Sequence, residues 1–404
     1  MCTPSRKVKF IMRHWIKSLF LLFALSLAVL PAAAQEAFPE RVSDGVVVVR
    51  FADLTRPGIL RFEQMLAAFD EVNQPYVVVE ARVRDQRDAI RIADEYNALA
   101  LLDGFQTRDG SFKMRLTWGT RAAQLLLSDT SAVATDVLEE TLTLTPEMPT
   151  SFVSDYVRGN VLYTLGEDED ALRFLELAYL SLPAGRELES EALQLFVTYG
   201  ILLNRFGEYR QALDVVEFAI ELEPQFAYSY FVKARALRFL GRLDEALEVI
   251  SRGAELSRSI LYQNEKGRIH LIREEYDLAE AAYNLSLERE PDNPVALAGL
   301  GDVRYFSGDI EGSLELFQRA ADVDPTYAYA FYSLAYSYFD LGRLNEALRN
   351  VLRALDLDPE YLDAILLYAD ILYRQGNRAA AAEQYQLYLD LGGEPLDYII
   401  DRLR

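Results

Sequence analysis

The chain has 404 residues, 51% hydrophobic and 26% charged, with few Gly or Pro, which excludes wholesale disorder. Its 41 Lys and Arg stand against 63 Asp and Glu, a formal charge of −22. Such a surface repels nucleic acid and anionic lipid headgroups, favours solubility and favours basic partners.

The stretch Met1 to Ala34 carries a targeting pattern. Arg6, Lys7, Lys9, Arg13 and Lys17 form a basic region, Ser18 to Leu30 an apolar one, and Pro31-Ala32-Ala33-Ala34 offers small residues for cleavage before Gln35. Met12 opens an equally good signal. The apolar run from Ser18 to Leu30, closed by Pro31, is short for a membrane span. The expectation is therefore a cleaved signal peptide over residues 1–34 and a secreted or periplasmic protein of the cell envelope. A retained signal anchor is the competing reading, and the one that brings membrane contact. Cys2, the only cysteine, precedes the apolar run, so it is not a lipoprotein acylation site. Cleavage leaves 36 basic against 63 acidic residues, a charge near −27, and no thiol for a disulfide or a metal site.

Residues 45–145 predict a small α/β domain. Val46 to Phe51 is a continuous apolar run suited to a buried strand. Pro57 to Phe69 has helical spacing, Tyr76 to Ala81 reads as a strand, Asp88 to Ala98 as an amphipathic helix and Leu99 to Leu102 as a third strand. Arg108-Asp109-Gly110 is a hairpin turn signal before the alternating strand Phe112 to Trp118. Ala123 to Leu127 reads as one further strand and Ala132 to Leu144 as a closing helix. The order β-α-β-α-β-β-β-α gives a mixed sheet. It resembles the small α/β domain set ahead of repeats or propellers in bacterial envelope proteins, such as the propeller protein of the Tol-Pal system, and that resemblance implies a role in protein interactions. The turn Ala52 to Gly58 lacks the glycine series and the Gly-Lys-Ser/Thr ending that cradle phosphates; Asp53 and Thr55 read as capping residues before Pro57.

From Phe152 to Pro395 a fixed repeat period takes over. Pro294–Tyr327 laid on Ala328–Tyr361 puts Gly308 on Gly342, Phe317 on Val351, Ala320 on Ala354 and Pro325 on Pro359. The register extends to seven units: Phe152–Gly185, then an insertion Arg186–Ala192, Leu193–Phe226, Ala227–Ser259 (one residue short), Ile260–Asn293, Pro294–Tyr327, Ala328–Tyr361 and Leu362–Pro395. Leu396 to Arg404 predicts a capping segment. Two helices of a hairpin that cross closely need small residues at the crossing, such as Ala335 and Ala347, and a terminal Pro turns the chain into the next hairpin. This pattern resembles the tetratricopeptide repeat (TPR), and the fold class expected is an α-helical TPR solenoid preceded by the α/β domain.

The resemblance implies a ligand groove on the concave surface, lined by the first helix of each hairpin. Carried over by repeat position, its residues are Tyr228, Phe231, Arg235 and Arg238, then Asn264 and Arg268, then Asp302 and Tyr305. Tyr329, Tyr332, Tyr336 and Phe339 follow, then Asp363, Asp370 and Tyr373. Tyr329, Tyr332, Tyr336 and Phe339 form one helical stripe. Two readings of it stand: a peptide-binding surface, with area from rings and direction from charges, or rings packed against neighbouring helices.

An enzyme is not expected. Beyond Ala34 the sole histidine is His270, at a packing position of the fourth unit, where a structural role outweighs a triad. No cofactor is implied, His/Cys zinc sites are excluded by count, and no calcium-loop motif occurs. The function expected is a scaffold or adaptor holding a protein or peptide, with no nucleic acid. The alternatives are an α/β domain sensing a small molecule or glycan, with the array as its output, and a carboxylate-only hydrolase.

Overall fold

The computed structural model describes residues 45–49, 56–79, 81, 83–84, 86–106, 112–118, 139–144, 150–182 and 193–403. The targeting segment, the capping residues Asp53 and Thr55, the Arg108-Asp109-Gly110 turn, the Ala123–Leu127 strand and the insertion Arg186–Ala192 lie outside the described residues.

Five strands form one mixed sheet in the order β2-β1-β3-β4-β5. They are β1 (Val46–Val49), β2 (Tyr76–Val79), β3 (Ala100–Gln106), β4 (Phe112–Trp118) and β5 (Glu139–Leu144). β1 pairs in parallel with β2 and β3, and β3, β4 and β5 run antiparallel. The four valines of β1 are buried because both faces are covered. Val46 and Val48 pack with Phe62, Met65 and Phe69 of helix α1 (Arg56–Glu71). Val47 and Val49 pack with Ala89, Ile92 and Ala93 of α2 (Gln86–Glu95). That two-sided burial explains a run with no polar alternation.

The predicted closing helix over Ala132–Leu144 is overturned at its end, since residues 139–144 are strand β5. Glu139-Glu140-Thr141-Leu142-Thr143-Leu144 has a period of two with two β-branched threonines, and it pairs along β4, Leu144 opposite Phe112. The neighbouring strand supplies hydrogen bonds that outweigh a helical spacing.

Among the described residues seven helical hairpins follow. They are α3 (Thr150–Thr164) with α4 (Asp168–Ser181), α5 (Leu193–Arg205) with α6 (Tyr209–Leu222), and α7 (Ala227–Phe239) with α8 (Leu243–Leu256). Then come α9 (Ile260–Ile272) with α10 (Tyr276–Arg289), α11 (Pro294–Phe306) with α12 (Ile310–Val323), α13 (Ala328–Asp340) with α14 (Leu344–Leu357), and α15 (Leu362–Arg374) with α16 (Arg378–Asp390). A last helix, α17 (Asp397–Leu403), sets its buried Ile399 against Tyr385 and Tyr388. α1 also packs on α3, so Phe62 and Phe69 share one apolar cluster with Phe152 and Tyr156 of the first hairpin.

The turn inside most hairpins needs a left-handed residue. Gly342 has φ +71°; its amide donates to the carbonyl of Phe339 at 3.0 Å, and the Arg343 amide donates to that of Tyr338 at 2.8 Å. These bonds satisfy carbonyls at the helix end, and a residue without Cβ enters that conformation without strain. In the fourth hairpin Glu274 takes the position at φ +60°.

Candidate peptide-binding face

Residues at one repeat position on successive first helices share a face, because the hairpins repeat the same geometry. Numbered from the start of each unit, the ninth position reads Arg235, Arg268, Asp302, Tyr336 and Asp370 on α7, α9, α11, α13 and α15. The second position adds Tyr228, Tyr329 and Asp363, and the twelfth adds Arg238, Tyr305, Phe339 and Tyr373.

The aromatic part is a run of rings in mutual contact. Tyr327 and Tyr329 have centroids 5.9 Å apart, Tyr329 and Tyr332 6.2 Å, Tyr332 and Tyr336 6.0 Å, and Tyr336 and Tyr305 5.6 Å. Tyr361 of the next hairpin joins at 5.1 Å from Tyr332. Such tilted contacts fix ring orientation. Tyr336 keeps 40% of its surface exposed, while Tyr329 and Tyr332 are half-buried. The Tyr305 hydroxyl donates to Asp340, and that of Tyr329 to Asp302 Oδ2 at 2.8 Å.

Several predicted face residues are instead consumed by packing. Phe231 is buried, edge-on to Tyr262 at 6.3 Å. Arg238 Nε donates to Glu265 Oε1 at 2.6 Å, and both side chains are nearly buried, 8% and 6% exposed. Asn264 is buried and donates to Asn293 Oδ1 at 3.2 Å, the oxygen that caps α11 at the Ala296 amide. Phe339 is buried with the Arg374 guanidinium 3.8 Å from its ring centre. Tyr373 is half-buried, with Arg402 of α17 stacked at 4.2 Å. In each case a neighbouring element covers a position that the repeat register alone leaves open. Tyr228, Arg235, Arg268, Asp302, Tyr305, Tyr329, Tyr332 and Tyr336 remain together on the face.

The electrostatics are uneven along it. Burial pushes Asp302 up to about 7 from its ordinary 3.8, against the hydrogen bond from Tyr329 and the charge of Arg268. Burial also raises Tyr329 and Tyr327. Because the folded state holds the Asp302 proton more tightly than the unfolded chain does, stability falls as pH rises from about 4 through about 7, and the loss is complete above that window. Asp302→Asn keeps an acceptor for Tyr329 and removes the charge. It should raise stability at about pH 8 by on the order of 1–2 kcal/mol after allowance for residual solvent contact, seen as a higher Tm, and leave Tm unchanged at about pH 4. Thermal melts at the two pH values check this; an equal shift at both would assign the effect to packing.

His270 accounts for itself structurally. Its Nδ1 lies 2.7 Å from Glu275 Oε2, beside the Arg273–Glu275 ion pair. Among the described residues no group of three or more His, Cys, Asp or Glu side chains is placed to hold a metal ion, and no helix is long and apolar enough to cross a membrane.

The sequence reading missed Glu265, Tyr327, Tyr361 and Arg402. Tyr327 and Tyr361 were within its reach: they recur at the repeat interval and immediately precede α13 and α15. Glu265 and Arg402 carry no such signal.

Residues 200–259 and 332–394 match the tetratricopeptide repeat family, and residues 301–342 match a further TPR repeat family. The chain is similar to the DnaJ homolog subfamily C member 3 homolog of Dictyostelium discoideum, 25% identical over 233 residues that are 54% of this chain and 44% of that one. It spans less than half the length of that relative. It is also similar to an uncharacterized protein of Methanocaldococcus jannaschii, 36% identical over 64 residues, 16% of this chain and 74% of the other. Among solved structures, a tetratricopeptide repeat protein from Parabacteroides merdae ATCC 43184 is 17% identical, with 63% of this chain and 98% of that one covered at a TM-score of 0.49.

Proposed function

We propose, from the premise that the chain is a tetratricopeptide-repeat protein, that it is a non-enzymatic scaffold whose first-helix face holds an extended peptide segment of a protein partner. The observation that carries this reading is the contiguous run from Tyr329 through Tyr336 to Tyr305. It offers large, oriented ring area beside Asp302, Arg268 and Arg235. Aromatic and arginine side chains are the types that dominate binding energy at interfaces. The basic and apolar pattern of residues 1–34 supports secretion as part of the same reading, with the scaffold working outside the cytoplasm.

Tyr336 is the side chain to test. Tyr332 is held against Tyr361, so its truncation disturbs the fold together with any binding, whereas Tyr336 is 40% exposed. Short peptides selected on the full chain should bind Tyr336→Ala roughly tenfold more weakly, while stability stays within about 0.5 kcal/mol. Selected peptides indifferent to Tyr336→Ala would sink the reading.

A further inference from the structure

A row of apolar side chains lies beyond the end of the tyrosine run, and the fold does not require it. Phe239, Ile272 and Phe306 are the last residues of α7, α9 and α11, one repeat position in three consecutive hairpins. They are 46%, 49% and 58% exposed. The other four hairpins fill that position with Thr164, Arg205, Asp340 and Arg374, so the helix end accepts a polar or charged residue. Large apolar side chains left half in water gain little from burial, and three together form a patch that invites a partner. Two of them are held in place. The Phe239 ring stacks on Tyr209 at 4.8 Å, with the Arg238 guanidinium 4.2 Å from its centre, and Phe306 lies edge-on to Tyr305 at 5.2 Å. Because α7 touches α9 and α9 touches α11, the three side chains stand in one row.

The row is set in negative charge. The turns that follow these helices, residues 240–245, 273–277 and 307–311, carry seven acidic residues against two arginines. Both arginines are engaged, Arg242 by Glu245 at 2.6 Å and Arg273 by Asp244 and Glu275. Glu274, Asp277 and Glu311 are exposed and have no ion-pair partner among the described residues. The C-terminal ends of α7, α9 and α11 add the negative poles of three helix dipoles. An apolar row flanked by acids is complementary to an apolar stripe flanked by Lys or Arg. Packed helices lie about 10 Å apart, and along a helix every seventh side chain returns to the same face after about 10.5 Å. A β-strand covers that distance in about three residues and turns the third side chain to its opposite face. We propose that Phe239, Ile272 and Phe306 dock a basic amphipathic helix of a protein partner, roughly 15 residues long and laid across the three hairpins. This surface goes beyond the peptide-binding reading above and does not rest on it.

The test uses the full chain and a synthetic Leu/Lys peptide of about 18 residues, with Leu on one helical face and Lys beside it. The peptide should bind, become helical on binding, and bind more weakly with added salt. Ile272→Thr/Phe306→Asp installs residue types that the array already carries at this position. It should cost roughly tenfold or more in affinity, although the added negative charge by itself attracts the peptide. Thermal melts verify the fold of this variant; if it melts lower, Ile272→Thr alone carries the same test with a smaller loss. Glu274→Gln/Asp277→Asn should cost about threefold and flatten the salt dependence. A copy with Glu in place of Lys, or with Pro at its centre, should not bind. Tyr336→Ala, which removes a ring of the groove, should change the affinity less than about twofold. Failure of the native chain to bind, indifference to the apolar-row variant, or survival of binding in the Pro-containing copy overturns the inference. So does an equal loss in Tyr336→Ala, which would seat the peptide in the groove. None of these outcomes decides the groove reading, which stands or falls on selected peptides and their dependence on Tyr336.

Discussion

Gly299→Ala should destabilise the array by about 2 kcal/mol, although it adds one methyl group and removes nothing. A Cβ at Gly299 of α11 would stand 2.3 Å from Cζ and 2.4 Å from Cε1 of Tyr283 on α10. Gly267 of α9 packs on the same ring, where a Cβ would stand 2.8 Å from Cε1 and Cζ, so a shift of the ring is opposed by a second helix. Tyr283 is 2% exposed, held between the first helices of two consecutive hairpins. Two effects oppose each other. Alanine gains up to about 1 kcal/mol over glycine in a helix interior, whereas forcing a buried ring off its rotamer costs about 1–3 kcal/mol. The clash wins because the ring is 2% exposed and packed against both α9 and α11. In a Tyr283→Val background the sign should reverse, and Gly299→Ala should stabilise by up to about 1 kcal/mol. Repeat arrays can open in parts, so hydrogen exchange over residues 260–323 is the better readout than a single melt. A stabilising Gly299→Ala in the native background would refute the account.

The same reciprocity shows what the sequence could and could not say. At the crossing inside each hairpin a small residue faces a larger one: Gly267 faces Tyr283 and Gly301 faces Phe317, while Ala335 shares a cluster with the smaller Val351. The period and these pairs are written locally, so the helices of the array were legible. Strand β1 was legible for a similar reason, since four consecutive valines have few uses other than a strand covered on both faces. What escaped depends on partners distant in sequence. Glu139–Leu144 is a strand because β4 lies beside it. Phe231 and Phe339 belong to the face by register, yet Tyr262 and Arg374 from the following hairpins cover them. Glu265 lies off the stripe that the register marks, and its importance comes from an arginine 27 residues earlier.

Glu265→Gln should be the costlier half of an unequal pair. Arg238 and Glu265 are buried together at 2.6 Å, and truncating one member of such a pair usually costs about 3–5 kcal/mol, because the other charge is left uncompensated. For an isolated pair the two single substitutions would cost about the same. Here they should not, because Glu265 is also the attractive charge nearest in effect to Arg235 and Arg268. Removing it leaves three guanidiniums facing one another, and the expected loss is about 3 kcal/mol. Arg238→Gln leaves Glu265 within the field of the remaining two, so the loss should be smaller, about 1–2 kcal/mol. The two costs are compared by urea titration at low salt, then with added sulfate. The anion should restore part of the Glu265→Gln loss by entering among the arginines and should do nothing for Arg238→Gln. Equal costs, or a sulfate effect shared by both variants, would mean that Arg235 and Arg268 stand apart from the pair and that the positive end of the face is not one electrostatic unit.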